Sequence, residues 1–169
     1  MADSRLDQFI RRIRAQRDCL NMAAGLVSAI RGPIVELGLG NGRTYDHLRE
    51  LFPAREILVF ERDVAAHPDC IPDAKHLIRG DFADTLPGAL ARIGAPAALI
   101  HGDFGSADAA RDAALAEWLG RALRPLAAPG AVIPTDRALG AAVWLPEPLP
   151  QNVAPGGSFM CRASVLPAT

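Results

Sequence analysis

One stretch constrains this chain more than any other. In Ile34-Val35-Glu36-Leu37-Gly38-Leu39-Gly40-Asn41-Gly42-Arg43-Thr44 a short apolar run breaks into glycines at alternate positions and then passes into a helical pattern. Glycine admits positive φ and carries no Cβ, so such a turn bends sharply and lets a ligand touch the main chain. The order is therefore buried strand, tight turn, helix start. A dinucleotide site wants G-x-G-x-x-G, but Arg43 stands where the third glycine belongs, and a phosphate loop of the G-x-x-x-x-G-K-[ST] kind needs a lysine that is absent.

The alternation continues along the chain. Residues 4–31 carry apolar positions near the 3.6-residue period, which predicts two helices or one bent helix before the Gly32-Pro33 break. A helix is predicted from Thr44 to Phe52, strands at Glu56–Glu61 and Lys75–Arg79, and no long helix in the proline-broken segment between them. Thr85–Ile93 reads as one short helix with Pro87 in its first turn. Ala97–His101 reads as a fourth strand. Ser106 is expected to cap a helix with the stripe Leu115, Trp118, Leu119, Ala122, Leu123 and Leu126, ended by Pro129-Gly130. Ala131-Val132-Ile133 then opens a fifth strand reaching Asp136.

Strands alternating with helices predict an α/β fold, because right-handed crossovers place a connecting element over the sheet between parallel strands. After Asp136 the pattern changes. Ala141–Leu145 and Phe159–Leu166 read as strands with no helix between them, an antiparallel hairpin at one sheet edge. Their connection, Pro146–Gly157, is long for a hairpin, as lids and binding loops often are. The 169 residues suit a single domain: an N-terminal helical segment (1–31), a core (32–137) and a terminal hairpin (138–169).

Composition narrows the partners. Net charge is −1, so no global positive field exists to hold nucleic acid, and Arg11-Arg12-Ile13-Arg14 reads as a solvated helix face. No apolar run is long enough for a membrane span, and residues 3–18, with Asp at 3, 7 and 18 and Arg at 5, 11, 12, 14 and 17, are unlike a secretory signal. Three widely separated cysteines, Cys19, Cys70 and Cys161, argue for reduced thiols rather than a disulfide framework. A cytoplasmic location is the expectation.

In open α/β sheets ligands bind beyond the carboxyl ends of the strands. The first strand supplies the glycine turn. The second closes on Glu61, positioned to accept ribose hydroxyls, and the third leads into Gly80-Asp81-Phe82, an acid beside an aromatic suited to an adenine. The fourth and fifth strands end in Ile100-His101-Gly102-Asp103 and Thr135-Asp136-Arg137, so His101, Asp103 and Asp136 should converge on one cleft as candidate catalytic groups.

These motifs resemble those of the class I S-adenosylmethionine-dependent methyltransferases over roughly residues 30–137. Val35–Gly42 resembles the family's first motif, Val59-Phe60-Glu61 its second-strand acid, Gly80-Asp81-Phe82 its adenine-side motif, and Leu126–Ile133 its approach to strand five. The resemblance implies a Rossmann-like, seven-stranded, mostly parallel sheet with helices on both faces and an antiparallel terminal hairpin. It implies S-adenosyl-L-methionine as cofactor, with Glu36 and Gly38 near the methionine end, Glu61 at the ribose, and Asp81 with Phe82 at the adenine. Gly40, Asn41, Gly42 and Thr44 of the turn and Arg62 beside Glu61 complete the expected cofactor set.

The function implied is methyl transfer to a small-molecule acceptor, since the chain is barely larger than a cofactor-binding core. The alternative is a non-catalytic cofactor-binding or regulatory module, while a nicotinamide-dependent oxidoreductase is opposed by Arg43. Strand ends four and five are also similar to those of metal-dependent catechol-type O-methyltransferases, but Arg137 stands where a ligating Asn would be, so no metal is expected. Apolar residues on the first helix and near the 146–157 loop point to a homodimer or larger assembly.

Overall fold

A computed structural model of the chain describes residues 3–106, 108–140 and 143–165. Seven strands form one sheet: β1 (Ile34–Leu37), β2 (Ile57–Glu61), β3 (Leu77–Arg79), β4 (Ala97–Gly102), β5 (Ala127–Thr135), β6 (Trp144–Pro146) and β7 (Phe159–Ala163). Their order is β3-β2-β1-β4-β5-β7-β6. Strands β1 to β5 run parallel, β7 is antiparallel to β5, and β6 is antiparallel to β7. The mostly parallel sheet and terminal hairpin expected from the sequence are present.

Burial on both faces explains the nearly continuous apolar strands. On one face Val35, Leu37, Phe60, Ile100 and Ile133 pack under α4 (Ala89–Ile93) and α5 (Ala109–Ala122). On the other, Ile34, Val59, Leu99 and Val132 meet α1 (Arg5–Leu26) and α2 (Arg43–Leu51). The first helical segment is a single helix. Ser4 caps it, accepting from Asp7 N while Asp7 accepts from Ser4 N, and its second half buries Cys19, Leu20 and Ala23. Its first turns leave Leu6, Phe9 and Ile10 exposed. Among the described residues no helix is long and apolar enough to cross a membrane.

Several local expectations are corrected. The single helix predicted at Thr85–Ile93 is two, α3 (Phe82–Thr85) and α4, because Pro87-Gly88 falls between them rather than in a first turn. Asp108, not Ser106, caps α5 by accepting from Arg111 N. Ser106 instead gives its N–H and its hydroxyl to Asp112 at 2.7 Å each. Helix α5 ends at Ala122, well before Pro129-Gly130, and β5 begins at Ala127. Between the pairs Ala97↔Ala127 and Leu99↔Val132 one strand advances two residues and the other five, so Pro129-Gly130 lies in an in-strand irregularity, with Gly130 at φ 79°.

The hairpin is shorter than expected. β6 begins at Trp144, Ala141 and Ala142 lie outside the described residues, and β7 ends at Ala163, with Leu166 also outside. Trp144 anchors it to α5 by donating its indole N–H to Gly120 O at 2.8 Å.

Candidate active site

Strand order reverses between β1 and β4, which opens a crevice above their carboxyl ends. The glycine turn fills one side of it. Gly38, Gly40 and Gly42 all take positive φ, at 86°, 51° and 80°. Their roles differ. A Cβ on Gly42 would stand 2.5 Å from Cys70 Cβ, so this glycine is demanded by the segment packed behind the turn. Around Gly40 nothing lies within 4 Å of the Cβ position, which leaves its main chain open to a ligand. Asn41 is exposed beside it.

Glu61 clasps this turn. Its Oε2 accepts from Leu39 N at 2.6 Å and Gly40 N at 3.3 Å, and its Oε1 accepts from Asp63 N at 2.9 Å. The carboxylate expected at a ribose thus sits against the glycine turn and fixes its shape. Next to it, Arg62 bridges Asp63 at 2.9 Å and Asp81 at 3.1 Å across the ends of β2 and β3. Phe82 opens α3 half-buried against the core.

Glu36 is fully buried, on the sheet face covered by α1 and α2. Register explains its company: Glu36 pairs with His101 across β1 and β4, so both side chains stand on the same face. Glu36 Oε1 accepts from the hydroxyl of Thr44 in the first turn of α2. Its Oε2 lies 3.3 Å from His101 Nδ1. Burial disfavours a charged imidazole, but the Glu36 carboxylate, with Asp103 and Asp136, outweighs it and holds His101 above its ordinary value of 6.5.

The three candidate catalytic residues do converge. His101 lies on the wall of a narrow crevice shared with Arg12, Gln16, Cys19, Thr135 and Ser158, and burial pushes the Cys19 thiol up to about 11. Asp103 accepts from Arg12 at 3.0 Å and Gln16 at 2.9 Å, both on α1. Asp136 accepts from Phe104 N at 3.1 Å and Gly105 N at 2.8 Å, which ties the loop after β4 to the end of β5. Its burial raises Asp136 above the usual carboxylate value, the Phe104 N–H offsetting part of this. Arg137 pairs with buried Asp112 at 3.1 Å and with Asp136 at 3.4 Å.

This crevice opens into a cleft of about 1290 Å³ between α1 and the 152–158 segment, bordered by Arg14, Arg17, Asp103, Asp136, Asn152 and Pro155. Sequence reasoning missed Arg12, Gln16 and Ser158. Arg12 and Gln16 are four residues apart and so share a helix face, but no pattern in the sequence says that this face meets a strand end some 90 residues on.

Over residues 3–163 the chain matches the family described as S-adenosyl-L-methionine methyltransferase. The chain belongs to that family. The methyltransferase is 40% identical, with a TM-score of 0.90, to the solved S-adenosyl-L-methionine methyl transferase of Silicibacter pomeroyi DSS-3, covering 96% of this chain and 100% of that one. An RNA methyltransferase of Salinibacter ruber, solved with S-adenosyl-L-homocysteine, is 14% identical with a TM-score of 0.53, covering 90% of each chain, and shares the fold. None of the curated proteins compared with the chain matches it. The cofactor of the methyltransferase is S-adenosyl-L-methionine. The residues present fit that group: open main chain at Gly40, carboxylates at the ends of β2 and β3, and a half-buried aromatic at the start of α3.

Proposed function

We propose that the enzyme methylates a small-molecule acceptor held in the cleft between α1 and the 152–158 segment, with His101 as the proton acceptor. The observation that carries this reading is the buried pair of His101 and Glu36. His101 borders the crevice, and its Nδ1 lies 3.3 Å from Glu36 Oε2, a charge contact that favours a proton on Nδ1. The other ring nitrogen, Nε2, is then free to take the proton that an acceptor oxygen or nitrogen loses.

When bound, S-adenosyl-L-methionine supplies a methyl group activated on a sulfonium for in-line displacement. The chain's own work is to position and to exclude water. Gly38, Gly40, Asn41 and Gly42 cradle the cofactor, Glu61 and Arg62 serve its ribose side, and Asp81 with Phe82 the adenine. Thr44 and Glu36 act from behind the turn by orienting His101. Asp136 shapes the acceptor side through the loop it holds, and Asp103 stands at the crevice mouth.

A small acceptor is supported by a net charge of −1, which gives a long anionic polymer no general attraction. Free Cys19, Cys70 and Cys161 support a reducing, cytoplasmic setting. Exposed Leu6, Phe9 and Ile10 at helical spacing support assembly with a second copy. Incubation with labelled S-adenosyl-L-methionine and a fractionated metabolite pool tests the function, since an inactive cofactor-binding module would label nothing. His101→Gln should then lose most turnover while still binding cofactor.

A further inference from the structure

We infer that Asp112, which takes no part in the proton transfer, is a positioning residue: with Arg137 and Asp136 it latches the 103–106 loop in the shape that receives the acceptor. The inference rests on the acceptor lying in the cleft between α1 and the 152–158 segment. Asp112 is 2% exposed and sits in the first turn of α5, yet it borders neither the crevice nor the cleft. Its partners define its role. Oδ2 accepts from Ser106 N at 2.7 Å and from Arg137 Nη2 at 3.1 Å, and Oδ1 accepts from the Ser106 hydroxyl at 2.7 Å.

Asp136 takes the two preceding amides, Phe104 N at 3.1 Å and Gly105 N at 2.8 Å. Two carboxylates thus hold three consecutive N–H groups, and one guanidinium, that of Arg137, pairs with both. Thr135 fixes this arginine by donating its hydroxyl to Arg137 O at 2.7 Å. Hydrogen bonds to charged groups are the stronger ones in proteins, and linked bonds support one another. The two bonds from Ser106 hold Asp112 below the usual carboxylate value, so the latch is charged at neutral pH. Gly105 shows how tightly it closes: a Cβ there would run into Asp136 Oδ2 and stand 2.6 Å from Arg137 Nη2.

The latch bears on the acceptor rather than on the cofactor. The loop leaves β4 just beyond His101, and Asp103, Gly105, Asp136 and Arg137 all border the cleft. Asp103 is held separately, from α1, by Arg12 and Gln16. The side of the loop nearest the glycine turn therefore keeps its own fastening when the latch opens. What shifts is the cleft wall at 104–106, and a misplacement of about 1 Å beside reacting groups costs up to about a hundredfold in rate.

Three measurements on the full chain test this: amide hydrogen exchange, calorimetry with S-adenosyl-L-homocysteine, and transfer of label from methyl-labelled S-adenosyl-L-methionine into a dilution series of a cell-extract metabolite fraction. In Asp112→Asn the amides of Phe104, Gly105 and Ser106 should exchange faster. The metabolite concentration giving half-maximal labelling should rise about tenfold, with S-adenosyl-L-homocysteine affinity within about twofold of wild type. Ser106→Ala should shift half-saturation the same way by less, and Ser106→Thr, which keeps the hydroxyl, should restore it. If Asp112→Asn does not fold, the two Ser106 variants decide. A merely structural role would lower the melting temperature and the folded fraction while leaving the half-saturation of the folded enzyme in place, and that result overturns the inference. Equal loss of S-adenosyl-L-homocysteine binding in folded Ser106→Ala overturns it as well. Wild-type protein that binds S-adenosyl-L-homocysteine but labels no metabolite overturns the small-acceptor reading itself, and the latch's role with it.

Discussion

Glu36 Oε2 and His101 Nδ1 lie 3.3 Å apart, the carboxylate fully buried and the imidazole reaching the crevice wall, placed there by the register of β1 on β4. The hydroxyl of Thr44 holds the other carboxylate oxygen. The first turn of α2 and the crevice beside His101 are thereby joined through one carboxylate.

That pair predicts a pH dependence. His101 accepts a proton only when neutral, and Glu36 holds its pKa above 6.5, so kcat/KM should rise with pH through a value above 6.5. Glu36→Gln removes the charge that favours imidazolium and leaves burial, which acts the other way, so the rising limb should move to lower pH while the plateau falls. His101→Gln should cost about a hundredfold or more in kcat, the scale of general-base catalysis. The linkage has the same sign: a histidine whose pKa is raised on folding adds stability below its unfolded pKa, and this is lost as pH rises through the folded value. Melting curves across that range should show the loss in wild type and not in Glu36→Gln.

Glu61→Ala should weaken S-adenosyl-L-homocysteine by about 1.5–3 kcal/mol, the scale of hydrogen bonds to a charged group. It should also lower thermal stability, because Leu39 N and Gly40 N lose their acceptor. Calorimetry and thermal melts read the two effects separately. Unchanged cofactor affinity in a folded variant would remove Glu61 from the ribose side.

The glycines should divide by cause. Gly42→Ala meets both a left-handed backbone, φ 80°, and Cys70 Cβ at 2.5 Å, and should destabilise the fold by about 2 kcal/mol or more. Gly40→Ala has open space around it and should cost about 1 kcal/mol from its positive φ alone. Its larger effect should be on cofactor affinity. Equal losses of stability in the two variants would contradict this division.

Much of this architecture is legible in the sequence because buried parallel strands read as nearly continuous apolar runs, Glu36 in β1 and His101 in β4 being exceptions. Ile34–Leu37 was bounded correctly for that reason. The glycine turn was legible because its backbone demands glycine. Contacts that depend on distant partners were not. Arg12 reads as a solvated helix face until α1 is laid over the end of β4, and the pairing of Glu36 with His101 depends on the register of β1 on β4. Ser106 passed for a cap because serine suits that role, whereas Asp112 takes both its donors and Asp108 caps the helix.

Arg137 predicts how activity responds to chelation. Its guanidinium lies 3.4 Å from Asp136, where a ligated cation would otherwise be drawn. Turnover should survive EDTA. Loss of activity on chelation with recovery on adding Mg²⁺ would show that Asp103 and Asp136 hold an ion despite that charge.

Assembly has its own readout. Leu6, at 66% exposure, with Phe9 and Ile10 forms an uncovered apolar stripe on α1, and light scattering at micromolar concentration should return twice the 17.9 kDa chain mass or more. Leu6→Glu with Ile10→Lys should shift it to a single chain. A wild-type mass of one chain would mean that the stripe remains uncovered in solution.

Methyl transfer to a small acceptor is tested most directly by following the label. Protein incubated with methyl-labelled S-adenosyl-L-methionine and a cell extract split into metabolite, RNA and protein fractions should label the metabolite fraction and release S-adenosyl-L-homocysteine, and His101→Gln should abolish most of both. Label appearing only in RNA or protein, or no label in any fraction from an enzyme that binds the cofactor, would contradict the account.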